Sequence, residues 1–133
     1  MSEIICRTDG ACGTFCAGIG YHITGEVEAS GHRVVDENIT SMESELFALL
    51  EALRVASLES SDRKRIVIYT DCRPLKRKIC GNPNERDDWE SYRQSALWLL
   101  EKFESWDIFH CSRETTREAH ELARVALTEG RNS

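Results

Sequence analysis

Apolar and polar positions change period along this chain, and each change marks a new element. The first third alternates. Glu3 to Asp9 (E-I-I-C-R-T-D) predicts a short β-strand, and Phe15 to Thr24 (F-C-A-G-I-G-Y-H-I-T) a second. Val27 to Asp36 (V-E-A-S-G-H-R-V-V-D) predicts a third. The glycine-bearing segments G-A-C-G-T and Gly25-Glu26 between them predict turns, hence an antiparallel meander. From Thr40 the period lengthens. Thr40 and Glu43 have the spacing of a capping box, and Met42, Leu46, Leu49, Leu50 and Leu53 form an apolar stripe. That stripe predicts a helix to about Ser57.

The run R-I-V-I-Y-T, ending at Thr70, is continuously apolar in its middle and predicts a strand buried on both faces. Arg73 to Ile79 predicts a short basic helix with Pro74 in its first turn, where proline is tolerated. Trp89, Tyr92, Ala96, Leu97, Leu100 and Phe103 recur at helical spacing, and W-D-I-F-H-C predicts a last short strand. Thr115 and Glu118 repeat the capping-box spacing and open a final helix, with Ala119, Leu122, Ala123 and Ala126 on one face. The order β-β-β-α-β-α-α-β-α predicts an α/β fold, a mixed sheet with helices packed on its faces. The chain of 133 residues reads as one domain, with residues 128–133 as a frayed tail.

Composition narrows the class. A hydrophobic share of 41% and a charged share of 30% fit a soluble globular protein. No apolar run approaches a membrane span, and the N-terminus lacks the layout of a signal peptide, so a cytoplasmic protein without a membrane partner is expected. The six cysteines include no C-x-x-C pair. Cys12 and Cys16 have no second Cys/His pair to complete a zinc site, so reduced thiols are expected. The net charge of −6 argues against a protein that simply coats nucleic acid. Its distribution is uneven: residues 63–78 carry seven basic side chains against one acid, Asp71. Such a patch is either a solvated face or a footprint for phosphates.

Three carboxylates stand where structure alone explains them poorly. Asp9 ends the first predicted strand, where aspartate is disfavoured, and precedes Gly10. Asp71 ends the buried strand, at the lip of the sheet where α/β proteins bind ligands. Glu45 lies in the first turn of the Leu-rich helix and borders its apolar face. Taken singly, each is an ordinary turn, cap or helix-terminus charge. Together their surroundings are distinctive: T-D-G before a glycine-rich hairpin, T-S-M-E-S-E-L-F-A-L-L-E-A-L, V-I-Y-T-D-C and F-H-C-S-R-E-T-T-R-E-A-H-E-L-A.

In order and spacing these four blocks resemble a type 1 ribonuclease H, from Glu3 to about Leu127. The resemblance implies a five-stranded mixed sheet in order 3-2-1-4-5, flanked by helices on both faces. It also implies cleavage of the RNA strand of an RNA/DNA hybrid with Mg2+ or Mn2+. The residues suit that chemistry, since hydrolysis at a two-metal site needs hard oxygen ligands around two ions about 4 Å apart. Asp9 is then the shared ligand, with Glu45 and Asp71 completing the cluster. By the same resemblance His120 stands where the family usually carries a fourth aspartate. Imidazole is a neutral ligand that suits manganese better than magnesium.

The pattern departs elsewhere. The S-R-E-T-T loop lacks the histidine many relatives carry before the last helix, and His110 reads as structural. Ser41 and Met42 replace two common asparagines, and Cys72 replaces a serine. A separate basic protrusion is not expected in the short loop Cys80 to Asp88. A hybrid would be read through phosphates and sugar hydroxyls. Backbone groups of Gly10, Ala11 and Cys12, with Ser41, Arg73 and Lys76, are the expected substrate contacts, and Arg77 and Lys78 add basic charge. A monomeric endoribonuclease is the expectation. The alternative is a module of this fold that binds hybrid or RNA with weak or lost catalysis because of His120.

Overall fold

The computed structural model describes residues 3–81 and 89–132. Its elements follow the predicted order: β1 (Glu3–Cys12), β2 (Ala17–Gly25), β3 (Ala29–Val35), α1 (Ser41–Glu59), β4 (Arg65–Thr70), α2 (Arg73–Cys80), α3 (Glu90–Leu100), β5 (Ser105–His110) and α4 (Arg117–Arg131). The strands form one sheet in the order β3-β2-β1-β4-β5. Pairing is antiparallel in the β1–β2–β3 meander and parallel where β4 joins β1 and β5 joins β4.

One face of the sheet carries the main core. Ile4, Cys6 and Ile23 from the meander and Ile66 and Ile68 from β4 meet Leu46, Leu49 and Leu53 of α1, Leu75 and Ile79 of α2, and Leu100 of α3. The Leu-rich stripe thus does what its period predicted. The α1 cap forms in full: the Glu43 amide donates to Thr40 Oγ1 at 3.1 Å, and the Thr40 amide to Glu43 Oε1 at 3.0 Å.

The other face is covered by α4, through very small residues. A Cβ built on Gly18 would lie 2.2 Å from the Ala123 carbonyl oxygen, and one on Gly20 2.3 Å from that of Ala119. Only glycine lets the helix backbone come so close to the strand. Ala119, Ala123 and Ala126 are fully buried on the helix side of this contact.

Four local expectations are corrected. The first strand does not stop at Asp9; Gly10, Ala11 and Cys12 stay in β1 and pair with Ile19, Gly18 and Ala17. The hairpin is tighter than its glycines suggested, and β2 starts at Ala17 rather than Phe15. Thr115 does not cap the last helix. The S-R-E-T-T loop closes on itself with Thr115 N–H to Ser112 O and Thr116 N–H to Arg113 O, both 3.1 Å, so Thr116 takes the N-cap position. Finally, the tail does not fray at 128, because α4 continues to Arg131. The expectation about a missing basic protrusion falls mainly on residues 82–88, outside those described.

Sheet register positions the site. β1 pairs with β2 as far as Cys12 but with β4 only as far as Arg7, opposite Tyr69. Beyond that point the two parallel strands separate, and Asp9 and Asp71 stand on either side of the opening.

Candidate active site

Asp9, Glu45 and Asp71 converge there, each offering a carboxylate oxygen, and these oxygens all lie within 4.8 Å of one another. They arrive from three elements. Asp9 comes from β1, Asp71 from the residue after β4, and Glu45 from the second turn of α1. Gly10 makes the third approach possible: a Cβ there would lie 2.5 Å from the Ser44 carbonyl carbon, so α1 rests directly on the strand. The freed Gly10 amide, past the end of β1–β4 pairing, donates to Glu45 Oε1 at 3.2 Å. This glycine therefore serves the helix contact, and its N–H is spent on Glu45 rather than offered outward.

The cluster is strongly frustrated as a set of bare anions. Asp9 and Glu45 are buried, and Asp9 Oδ1 and Glu45 Oε2 lack a donor among the described residues. Two facing carboxylates can share a hydrogen bond only if one keeps a proton. Burial, followed by the Asp9 charge, pushes the Glu45 carboxyl up to about 9. Asp9 is raised as well, chiefly by burial. Unpartnered buried oxygens in a hard-oxygen set fit a divalent cation such as Mg2+ or Mn2+.

Two other side chains already partner this set. His120 Nδ1–H donates to Asp9 Oδ2 at 2.7 Å. The contact ties the imidazole to the carboxylate that sits deepest in the cluster. Gly20 is the β2 partner of Asp9, so the close α4–β2 contact also brings His120 over Asp9. Arg113 Nε donates to Asp71 Oδ2 at 2.6 Å. One Arg113 terminal nitrogen lies 3.2 Å from His120 Nδ1 and 3.3 Å from Nε2. Arg113 therefore links Asp71 to the His120 ring.

The structure thus brings Asp9, Glu45 and Asp71 together as a metal-capable group, while His120, expected as a fourth ligand, stands beside that group and bonds to Asp9 Oδ2 instead. Arg113 was not anticipated. The loop drew notice for a missing histidine, yet its arginine, seven residues before His120, was the available signal.

The expected substrate contacts are more dispersed. Ala11 and Cys12 line a cleft of about 260 Å³ that includes Asp9 and His120. Ser41 is exposed in the first turn of α1, near the acids in sequence. Arg73 and Lys76 line a separate groove of about 500 Å³ with Arg77, Cys80 and His110. The larger groove between α1 and α3, about 750 Å³ and lined by Phe47, Leu97 and Trp98, contains none of Asp9, Glu45 and Asp71. All six cysteines are free thiols. No helix among the described residues is long and apolar enough to cross a membrane.

Comparison with known proteins agrees with the geometry. The reverse transcriptase-like family matches residues 7–126, so the chain belongs to that family. RNase H1 of the halophilic archaeon Halobacterium salinarum NRC-1 superposes with a TM-score of 0.85 at 27% identity, covering 96% of this chain and 98% of the other. The N-terminal RNase H domain of a Mycobacterium tuberculosis protein, solved as a fusion with maltose-binding protein, gives 0.86 at 16% identity, covering 99% and 98%. LC11-RNase H1, solved in complex with an RNA/DNA hybrid, gives 0.81 at 21% identity, covering 95% and 97%. No curated protein sequence matches the chain. The resemblance to type 1 ribonucleases H and the sheet order 3-2-1-4-5 both hold, and the chain stands among the ribonuclease H-type nucleases.

Proposed function

We propose that this protein is a metal-dependent endoribonuclease that hydrolyses the RNA strand of RNA/DNA hybrids. The observation that carries the reading is the carboxylate triad, two members of it buried and holding oxygens without donors, at the opening between β1 and β4. Bound divalent ions would supply an activated water and a counter-charge for the departing oxygen.

The chain's own residues do the rest. Asp9, Glu45 and Asp71 would together hold the ions. Glu45 would hold a cation as the ionised carboxylate, and the Gly10 amide orients it. His120 fixes one Asp9 oxygen and keeps the remaining oxygen turned toward Glu45. Arg113, exposed and bonded to Asp71, would offer its guanidinium to a phosphate arriving at the acids. Sequence-independent recognition of the duplex would come from phosphate and 2′-hydroxyl contacts of Ser41, Arg73 and Lys76.

The test is cleavage of a labelled hybrid by the purified protein in Mg2+ and in Mn2+, beside Asp71→Asn. The side chain of Asp71 bonds only to exposed Arg113 among the described residues, so the variant is expected to fold normally and to lose cleavage. Near-normal cutting by Asp71→Asn would refute the assignment. Tight hybrid binding by the wild type without cutting in either metal would mean a reader of hybrids.

A further inference from the structure

Helix α4 is electrically two-sided, and one side remains unexplained by the metal cluster. On its β2–β3 side Glu118 meets His22 at 3.2 Å and Glu129 meets His32 at 3.1 Å. On the other side His120, Arg124, Leu127 and Arg131 follow the i, i+4, i+7, i+11 spacing of a single helical stripe. Arg124 and Arg131 are exposed, and neither has a carboxylate partner among the described residues. With Arg113 and Thr128 they line the cleft that contains Asp9, Gly10, Ala11 and Cys12, while Glu121 does not reach it. Arg131 Nε hangs over the β1–β2 hairpin, 3.7 Å from where a Gly13 Cβ would stand. In a protein of net charge −6, arginines in file beside an acidic centre offer an anionic occupant a surface the rest of the chain does not.

We propose that this stripe is a phosphate track for the strand being cut. The inference rests on the hydrolase reading above and extends it to a specific surface. A strand with its scissile phosphate at the carboxylates continues directly onto the residues sharing a cleft with them, which makes the cut strand the natural occupant. From His120 to Arg131 the helix advances ~16 Å, at about 1.5 Å per residue. At roughly 3.4 Å per nucleotide along a duplex axis, the track reaches about five nucleotides to one side of the cut. Its basic groups contact phosphates and not base edges, so the track adds affinity without sequence preference.

Binding of a labelled hybrid to the Asp71→Asn protein, followed by anisotropy between 50 and 200 mM salt, tests this. Each arginine that neutralises a phosphate adds about 0.9 to the slope of log affinity against log salt, equivalent to roughly eightfold in affinity at 0.1 M. Arg124→Gln with Arg131→Gln should therefore lower the slope by nearly two, while Arg54→Gln, on α1 beside Glu51, should leave it unchanged. Replacing phosphates by uncharged methylphosphonates within five nucleotides of the cut, on the RNA strand, should abolish the difference between the double variant and its parent. The same replacement on the DNA strand should not. An unchanged slope, or a difference that only DNA-strand neutralisation removes, overturns the track. Because binding is read without cleavage, an inactive wild type would refute the hydrolase reading, while the change in slope would still report whether the two arginines hold phosphates.

Discussion

Replacing Gly20 by alanine puts the close packing of α4 directly to the test. The new methyl would stand 2.3 Å from the Ala119 carbonyl oxygen, 2.6 Å from the Ala123 amide nitrogen and 2.9 Å from Leu122 Cβ. Two of these three atoms are helix backbone, so no rotamer change relieves the clash. Restoring an ordinary contact of 3.4 Å requires α4 to rise by about 1 Å. Overpacking of this kind costs about 1–3 kcal/mol. At roughly 4 °C per kcal/mol for a domain of this size, the melting temperature should fall by ~4–12 °C. Because Gly20 pairs with Asp9, the same lift pulls His120 off the carboxylate it orients, 2.7 Å away. A misplacement of 1 Å in a catalytic constellation costs on the order of a hundredfold in rate. Urea unfolding and hybrid cleavage, measured at a temperature where both proteins are folded, read the two effects separately. Gly31→Ala is the control. Its methyl would meet the tip of the Tyr21 side chain, 2.5 Å from the hydroxyl, which can rotate aside. That variant should stay within about 0.5 kcal/mol of the parent. If Gly20→Ala is as stable and as active as Gly31→Ala, the glycine contact does not position the site.

Two further predictions concern the acids. Glu45, raised from its ordinary range to about 9, favours the metal-free fold while protonated; that contribution is full below about 4.5 and is lost as pH rises through 9. Cation binding needs the ionised form, so the rise in melting temperature caused by Mg2+ should grow from pH 6 to pH 9, and a pH-independent rise would count against the site. His120→Asp adds a fourth carboxylate beside Asp9 and removes a donor. Thermal melts should show a lower midpoint without metal and a larger Mg2+ stabilisation than in the parent; equal stabilisation would mean position 120 does not face the ions.

Much of the fold was legible because period reports burial. The α1 stripe, the apolar β4 run and the Thr40–Glu43 box each carry their instruction within a few residues, and each forms as expected. Elements failed to match where local signals compete with pairing. The glycines and cysteines of residues 10–13 read as a turn, yet the antiparallel ladder with β2 holds the chain extended to Cys12. The Thr115–Glu118 spacing read as a cap, yet backbone hydrogen bonds inside the loop moved the start of the helix to Arg117.

The site divides in the same way. Asp9, Glu45 and Asp71 could be singled out because they lie at a strand end, a helix start and the lip of the sheet, within motifs whose order along the chain is distinctive. Their residue types and the alternation around them are properties of sequence. Nothing local, however, says that Gly18 and Gly20 face Ala119 and Ala123, since a glycine in a strand carries no mark of what will lie on it. That contact exists only once the sheet has formed and α4 has crossed it. It seats His120 over Asp9 and Arg113 against Asp71, and it turns an arginine stripe of ordinary appearance toward the carboxylates. The sequence by itself determined which groups are available. Their convergence was decided by backbone approach between elements distant in the chain, which sequence period cannot encode.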